Sequence, residues 1–183
     1  MSGQLLYTIG PSGAGKDSVL AGLKARVLSS ACRLQLARRT ITRPLQADGE
    51  QHESMEETSF ERCLAAGGFA MYWRANGLCY GVRHEEMAAL PHVAWLLVNG
   101  SRAHLPTALQ QFPHLCVLHI TASETTLRAR LHARGRETAE AIEARIARNP
   151  PLSLPSSVRV IEIRNDGTLD EAGDHLLREL QLV

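Results

Sequence analysis

The sequence has little of what marks membrane, secreted or nucleic-acid-binding proteins. Its 20 lysines and arginines nearly balance 19 aspartates and glutamates, so the net charge of +1 provides no field to attract nucleic acid or an anionic membrane. No apolar run approaches the roughly 18 residues that a membrane-spanning helix needs. Only four cysteines are present, and the absence of a C-x-x-C pair argues against a zinc ribbon or a redox motif.

Two further signals are missing. The opening segment MSGQLLYTIG lacks the basic start and the long apolar stretch of a secretion signal. None of the eight histidines pairs with Cys, Asp or Glu at the spacing of a zinc site. We therefore expect reduced, mostly buried thiols, a cytoplasmic location, and no membrane or nucleic-acid partner, while the oligomeric state stays open.

Short apolar runs alternate with helix-period segments along the chain, whose 183 residues suit one compact α/β domain. Strands are predicted at 5–9, 93–98, 115–121 and 158–163. Helices are predicted at 17–28, from the N-cap residue Ser123 onward, at 138–148 and at about 169–180. Strands that alternate with helices predict a parallel sheet covered on both faces.

Residues 36–88 follow a different pattern. They contain the short alternating pieces LARRTIT, FAMYW and LCYGV, and the last two flank Asn76-Gly77. Asn-Gly between two apolar runs is the strongest short signal for a β-hairpin. This segment is predicted to form a small β-rich lobe inserted into the α/β core.

The stretch GPSGAGKDS, residues 10–18, nearly matches the phosphate-binding pattern G-x-x-x-x-G-K-[ST], but Asp17 replaces the final hydroxyl residue. A strand before the glycines and a helix after them would direct backbone N–H groups and the positive helix end at one point. Lys16 would add a mobile positive charge there. The context predicts a phosphate cradle, and a purely structural glycine-rich turn is the alternative.

The segment 130–148 is rich in arginine around a single glycine, Gly135. Its arginines stand at positions 130, 134, 136, 145 and 148. We interpret it as a mobile lid that binds anions. The alternative is a solvated surface helix with ordinary intrahelical ion pairs.

These motifs resemble guanylate kinases over nearly the whole chain. GPSGAGK resembles their phosphate loop, and TITRP together with the later GE and YG resembles their acceptor site. ARGRETAEAIEARI resembles their arginine lid, and RND resembles their adenine-contacting loop. The resemblance implies an α/β fold of the P-loop nucleoside-monophosphate-kinase type. It divides the single domain into a core (1–35, 89–130 and 151–183), an acceptor lobe (36–88) and a lid (131–150).

The acceptor lobe departs from guanylate kinases where they read the base. Met71 stands where they have a Glu, and Val82 stands where they have a Ser. Leu45 and Gln46 stand where a second phosphate-binding Arg is expected. A purine site needs polar partners, and the loss of one costs about 10⁴ or more in discrimination. Guanylate is therefore not the expected acceptor.

The sequence is more similar to the ribose 1,5-bisphosphate phosphokinases of bacterial phosphonate degradation. GPSGAGKDS, ITR, WRANGLCYGV, LLVNGSRAHLP and ARGRE carry this resemblance. It implies that ATP donates its γ-phosphoryl group to the 1-phosphate of a small sugar phosphate, ribose 1,5-bisphosphate, to give 5-phosphoribosyl 1-diphosphate. Two alternatives remain: a kinase of this fold acting on a nucleoside monophosphate such as GMP, and a non-catalytic guanylate-kinase-like binding module.

The resemblance also implies roles for individual residues. Lys16 bridges the β- and γ-phosphates, Arg134 and Arg145 hold the transferring group, and Arg130 and Arg136 assist them. The expected ATP-binding residues are Gly10, Pro11, Ser12, Gly13, Ala14, Gly15, Lys16, Asp17, Ser18 and Asn165.

The acceptor should need two anchors, because it carries a phosphate at each end. Arg43, within ITR, is the candidate for the acceptor phosphate. For the second anchor the candidates are Arg39, Arg74, Arg83, Arg102 and His104, and Tyr80 is a candidate acceptor-site hydroxyl whose alternative role is packing.

Asp17 is a candidate Mg²⁺ ligand. The strand at 93–98 is followed by Asn99, so it lacks the carboxylate that often binds Mg²⁺ in phosphate-loop enzymes. Mg²⁺ prefers oxygen ligands and usually takes one or two carboxylates. We interpret Asp17 as the relocated carboxylate, with helix capping as the alternative. Ser18 is one residue out of phase for the metal and is expected to support the α-phosphate.

Overall fold

The computed structural model describes residues 3–27, 34–45, 50–135, 137–147 and 152–182. The strands, in chain order, are β1 (Gln4–Ile9), β2 (Leu34–Leu36), β3 (Arg39–Ile41), β4 (Glu53–Ser54), β5 (Phe69–Ala75), β6 (Leu78–Arg83), β7 (Trp95–Asn99), β8 (Cys116–Thr121) and β9 (Val160–Arg164). The helices are α1 (Lys16–Val27), α2 (Glu57–Ala65), α3 (His84–Met87), α4 (Leu105–Gln111), α5 (Glu124–Arg134), α6 (Ala139–Ala147) and α7 (Leu169–Glu179), with a short 3₁₀-helix at Leu90–His92.

The larger sheet is parallel in the order β2-β7-β1-β8-β9, which confirms the predicted α/β core. Its three inner strands, β7, β1 and β8, are buried on both faces, as expected for apolar runs in a parallel sheet, whereas the edge strand β9 alternates between buried and exposed residues. Leu6 faces a cluster built with α1, α5, α6 and α7, whereas Leu5 and Tyr7 face a second cluster that includes α4. The carboxyl ends of β1, β7, β8 and β9 meet at one edge, where ligands bind in such sheets.

The second sheet has the order β4-β3-β6-β5 and lies within the predicted lobe. One face packs on α2 through Phe60 and Phe69, and the other packs on the core through Met71 and Trp73. The predicted hairpin is confirmed: β5 pairs antiparallel with β6, and both turn residues, Asn76 and Gly77, have positive φ (51° and 72°), as in a type I′ turn. Residues 34–36 belong to the core sheet, because β2 pairs with β7.

The arginine-rich segment folds as two helices, α5 and α6, that pack on the core. Ser123 caps α5, as predicted, and its hydroxyl accepts a hydrogen bond from the Thr126 N–H (3.2 Å). Gly135 ends α5 in the left-handed conformation. Ile142 and Ile146 of α6 are buried in the same cluster as the sheet. Arg136 and Arg148 lie outside the described residues.

Among the described residues, no helix is both long and apolar enough to cross a bilayer. Cys63, Cys79 and Cys116 are free thiols, and the last two are buried, as predicted for them. Cys32 lies outside the described ranges.

Candidate active site

The loop between β1 and α1 forms a cradle at the start of a 12-residue helix. Gly10 and Gly15 have φ values of 156° and 80°. A Cβ atom on Gly10 would lie 2.0 Å from the carbonyl oxygen of Ile120, and one on Gly15 would lie 2.5 Å from the side-chain nitrogen of Asn165. Glycine is therefore required at both positions, and the loop leaves backbone N–H groups at the positive end of α1.

Lys16 is the first residue of α1, and its side chain turns back over the loop. Its Nζ atom donates to the carbonyl oxygens of Gly10 (2.8 Å) and Pro11 (3.2 Å). Burial lowers the pKa of Lys16 to about 8, although the neighbouring Asp17 carboxylate acts in the opposite direction. The loop thus holds an ammonium group that would gain from an anionic ligand.

Three arginines from separate parts of the chain act electrostatically on Lys16. Arg39 begins β3, Arg102 follows β7, and Arg134 ends α5, and the positive charge of each lowers the pKa of Lys16. The sequence analysis assigned Arg39 and Arg102 to the acceptor and Arg134 to the transferring group, and in the structure the charges of all three act on the same lysine. Such convergence of cations favours a ligand that carries several negative charges.

Two more arginines reach the loop from α5 and α6. Arg130 donates to the carbonyl oxygen of Ala14 (3.4 Å), and Arg145 donates to the hydroxyl oxygen of Ser12 (3.2 Å). Arg145 also pairs with Glu137 (2.8 Å), which orients its guanidinium. The predicted lid therefore contacts the phosphate loop in this structure.

Asp17 belongs to α1, and its side chain also contacts the end of β7. Its Oδ1 atom accepts a hydrogen bond from the Asn99 side-chain nitrogen (2.6 Å) and lies 3.8 Å from a terminal nitrogen of Arg39. The Asp17 side chain is 61% exposed. The Asp17 carboxylate thus lies at the strand end where many phosphate-loop enzymes have an Asp that binds Mg²⁺.

Arg39 joins the loop, the core sheet and the lobe. Its guanidinium makes two hydrogen bonds to the Glu50 carboxylate, donates to the Asn99 carbonyl oxygen (2.9 Å) and lies over the Tyr80 ring, 5.3 Å from its centroid. Its side chain is only 9% exposed. These contacts were not foreseen, and they give Arg39 a positioning role between Glu50 and Asp17 besides any contact with substrate.

The block VNGSRAHLP forms the turn after β7. Gly100 packs on the ring of Tyr7, where a Cβ would come within 2.1 Å. The backbone N–H of Ser101 donates to the Tyr7 hydroxyl oxygen (3.1 Å), which also contacts Nδ1 of His104 (2.8 Å). Burial raises the pKa of Tyr7 to about 12, so the phenol keeps its proton. These contacts fix the turn that presents Arg102.

His119 was not foreseen as part of this site. It lies on β8, and its ring contacts Arg102 (3.3 Å, through Nε2) and Glu162 of β9 (3.3 Å, through Nδ1). His119 and Glu162 are register partners across the two strands. A lone histidine within an apolar strand gives no sequence signal for such a pairing.

On the lobe side, Arg43 lies next to Glu50. Its backbone carbonyl accepts a hydrogen bond from Ser54 (2.8 Å), and one terminal nitrogen lies 3.9 Å from Glu50. Its Nε atom is buried and has no hydrogen-bond partner among the described residues. Tyr80 is packed between Trp73 and Arg39, as its alternative role predicted. Gln46 and Gly49 lie outside the described residues.

Three candidates for the second anchor are engaged elsewhere. Arg74 pairs with Glu61 (2.6 Å) on the face of the lobe sheet that packs against α2. Arg83 makes two hydrogen bonds, both of 2.7 Å, to Glu53. His104 is buried between Tyr7 and Trp73. We therefore withdraw all three as phosphate ligands. Arg39 is bonded to Glu50 in the same way as Arg83 is to Glu53, so Arg102 is the candidate that is left.

Asn165 is almost fully buried behind the loop. Its side-chain nitrogen donates to the Ala14 carbonyl oxygen (2.8 Å), and its backbone N–H donates to Thr121 (2.8 Å). The predicted adenine-contacting residue thus supports the loop. Its side-chain oxygen has no hydrogen-bond partner within the described part of the chain.

The donor set at the end of β7 fits a hard cation. The Asp17 carboxylate is exposed beside Lys16, and the buried side-chain oxygen of Asn99 has no hydrogen-bond partner among the residues that the structure describes. Oxygen donors of this kind are those that Mg²⁺ prefers. The exposed Ser18 hydroxyl lies one residue further along α1.

The chain is similar to known proteins in both sequence and fold. No family model matches the chain. It is 43% identical over 178 residues to a ribose 1,5-bisphosphate phosphokinase of Azotobacter vinelandii, covering 97% of this chain and 96% of that protein. It is 46% identical to part of a bifunctional ribose 1,5-bisphosphokinase-thymidine phosphorylase of Azorhizobium caulinodans, covering 91% of this chain but 24% of that longer protein.

Among solved structures, a guanylate kinase from Anaplasma phagocytophilum superposes with a TM-score of 0.72, covering 99% of this chain and 86% of that one. The sequence identity of 15% limits this comparison to the fold. It agrees with the predicted guanylate-kinase-like architecture. The full-length match to the first relative, together with a phosphate loop surrounded by arginines, shows that the chain belongs to the ribose 1,5-bisphosphate phosphokinase family.

Proposed function

We propose that this protein transfers the γ-phosphoryl group of ATP to the 1-phosphate of ribose 1,5-bisphosphate, giving 5-phosphoribosyl 1-diphosphate and ADP. The observation that carries the proposal is the set of cations at the phosphate loop. Arg130 and Arg145 donate hydrogen bonds to loop oxygens. The charges of Arg39, Arg102 and Arg134 act on Lys16. Two highly charged anions must approach each other in this reaction. A site with several fixed cations lowers that repulsion.

The reaction needs no general base. An oxygen of the 1-phosphate, already anionic near pH 7, attacks the γ-phosphorus and forms the new P–O bond. The bond from that phosphorus to the β,γ-bridging oxygen breaks, and ADP leaves with the electron pair. The protein therefore contributes by aligning the two anions and by neutralising charge in the transition state.

Each part of the site has a place in this scheme. The loop N–H groups and Lys16 hold the ATP phosphates, and Arg134 and Arg145 approach the transferring group from the lid. Arg43 and Arg102 hold the acceptor. Mg²⁺, bound by Asp17 and by phosphate oxygens, would supply additional positive charge to the β- and γ-phosphates.

The lobe argues against a nucleotide acceptor. Met71 and Val82, which replace the base-reading residues of guanylate kinases, are both fully buried and pack on the core with Tyr7. They offer no donor or acceptor to a guanine. A non-catalytic module is disfavoured as well, because such a module would not need Lys16 or the arginines around it.

Guanylate is expected to be a poor substrate, with kcat/KM lower than that for ribose 1,5-bisphosphate by about 10⁴ or more. The reason is the missing polar partner at Met71 and Val82. ADP release at matched acceptor concentrations would measure the ratio, with adenylate as the control for purine binding in general. Comparable turnover of guanylate would show that residues of the lobe other than Met71 and Val82 bind the guanine base.

Binding of ATP is expected to take up protons around pH 8. Burial lowers the pKa of Lys16 to about 8, so roughly half of the free enzyme has a neutral Lys16 at that pH. Phosphates beside the ammonium raise its pKa again, and the affinity for ATP must therefore fall as pH rises through 8. Titration calorimetry in two buffers of different ionisation enthalpy should give an uptake of about half a proton.

The matched control for this experiment is Lys16→Arg, because arginine keeps its charge over the whole range. The uptake should vanish in that variant. If the wild-type protein takes up no proton at pH 8, Lys16 is fully charged before ATP binds and burial does not lower its pKa to that range.

An acceptor panel tests the proposed function. ATP turnover would be followed with ribose 1,5-bisphosphate, ribose 5-phosphate, guanylate and adenylate, each with Mg²⁺. We expect rapid ADP formation only with ribose 1,5-bisphosphate. Turnover only with a nucleotide would select the nucleotide-kinase alternative, and no turnover with any acceptor would favour the binding module.

A further inference from the structure

We propose that His119 is a positioning residue that holds the Arg102 guanidinium against the acceptor phosphate, and that Glu162 fixes the proton of the imidazole. The inference rests on the proposed function for the identity of the acceptor. The arrangement of Glu162, His119 and Arg102 is a property of the protein without ligand. It can therefore be tested separately.

The chemistry of the two partners selects one form of the ring. An ionised Glu162 can only accept a hydrogen bond, so Nδ1 of His119 must carry the proton (3.3 Å). The guanidinium of Arg102 can only donate, so Nε2 must be unprotonated (3.3 Å). Both contacts thus require the same neutral tautomer, with the proton on Nδ1.

The surroundings keep the ring neutral. His119 is 6% exposed, and burial lowers its pKa, as do the positive charges of Arg102 and Lys16, while Glu162 acts in the opposite direction. A neutral ring is what the contact with Arg102 requires. His119 lies close to the phosphate loop, because its register partner on β1 is Ile9, the residue before Gly10.

Fixing Arg102 matters because an arginine side chain has many rotamers, and ordering it on binding would reduce affinity. The turn after β7 fixes the backbone of Arg102 through the contacts of Tyr7 with Ser101 and His104. The contact with His119 fixes the other end of the side chain. Together they hold a cation in place before the acceptor arrives.

A matched pair of variants separates positioning from simple packing. In His119→Gln, the amide oxygen lies near the position of Nε2 and can still accept from Arg102. In His119→Asn, the shorter side chain places its amide near the position of Nδ1, where it cannot accept a hydrogen bond from Arg102. We expect His119→Asn to lower kcat/KM for ribose 1,5-bisphosphate by about tenfold to hundredfold, the range for losing a hydrogen bond to a charged group.

The same change should leave the Kd for ATP nearly unaltered, and His119→Gln should recover most of the lost kcat/KM. Thermal melts of both variants control for folding. Equal losses in the two variants, or a loss in His119→Asn that is confined to ATP binding, would overturn the positioning role.

The tautomer provides a readout that needs no substrate. Long-range ¹H–¹⁵N spectra of labelled protein, with the His119 signals identified by their absence in His119→Gln, report which nitrogen carries the proton. We expect a neutral ring protonated at Nδ1, although free histidine favours Nε2. A ring protonated at Nε2 would overturn the inference. If ribose 1,5-bisphosphate is not the substrate, the wild-type protein will not turn it over, and the spectra still decide the question.

Discussion

Replacing Arg134 with alanine should lower kcat by about 10³, with a much smaller change in KM for ATP. Arg134 ends α5, and its positive charge acts on Lys16 of the phosphate loop. Charge that develops on the transferring phosphoryl group is greatest in the transition state. Arginines that meet such charge contribute about 10³ or more to the rate of phosphoryl transfer.

Arg128→Ala is the matched control. Arg128 lies on the same helix, but it is directed at Glu143 of α6, with which it forms an exposed ion pair. This variant removes a contact between α5 and α6 and leaves the site cations in place. We expect its kcat to stay near the wild-type value. An unchanged kcat in Arg134→Ala, measured at saturating ATP and acceptor, would instead assign Arg134 to a solvated helix surface.

Asp17→Asn is expected to lower kcat by about a hundredfold and to raise the Mg²⁺ concentration needed for half-maximal activity. A metal ion supplies several kcal/mol of charge stabilisation, and the variant removes the carboxylate that we propose as its ligand. The hydrogen bond of Asp17 to Asn99 (2.6 Å) links the loop to β7, a contact that a helix cap alone would not need. The melting temperature without nucleotide should change little, because asparagine remains a good residue near a helix start.

The double variant Asp17→Asn with Asn99→Asp exchanges the two side chains across that hydrogen bond. It returns a carboxylate to the same place, now on the strand end, as in many phosphate-loop enzymes. We expect partial recovery of kcat relative to Asp17→Asn. Wild-type activity of Asp17→Asn at limiting Mg²⁺ would rule out the metal role and leave the link between α1 and β7 as the function of Asp17.

The fold was predictable because its signals are local. Four apolar runs predicted the strands β1, β7, β8 and β9 to within a few residues, and Asn76-Gly77 predicted the hairpin. The short helices α2 and α4 were not predicted, because seven to nine residues carry too little periodicity. β2 was not predicted, and the boundary expected between core and lobe at residues 35 and 36 cuts through it, since three residues cannot show which sheet they join.

The site was predictable only in part, because only some of its contacts are encoded in a local stretch of sequence. The loop and Lys16 follow from a contiguous motif. The pairing of His119 with Glu162 depends instead on the register between β8 and β9, and that of Arg39 with Glu50 depends on how the lobe closes on the core. Neither follows from spacing along the chain. Arg74 and Arg83 looked equivalent to Arg102 in the sequence, but neighbouring carboxylates in the lobe already bind them.

The most direct measurement of the central claim is a ³¹P NMR spectrum of the complete reaction with ATP, Mg²⁺ and ribose 1,5-bisphosphate. We predict that the 1-phosphate resonance is replaced by the two coupled doublets of a diphosphate as ADP accumulates, while the 5-phosphate resonance persists. The same mixture with Lys16→Met should remain unchanged. A spectrum in which the wild-type protein leaves the 1-phosphate intact, or transfers phosphate only to a nucleotide, would contradict the proposed function.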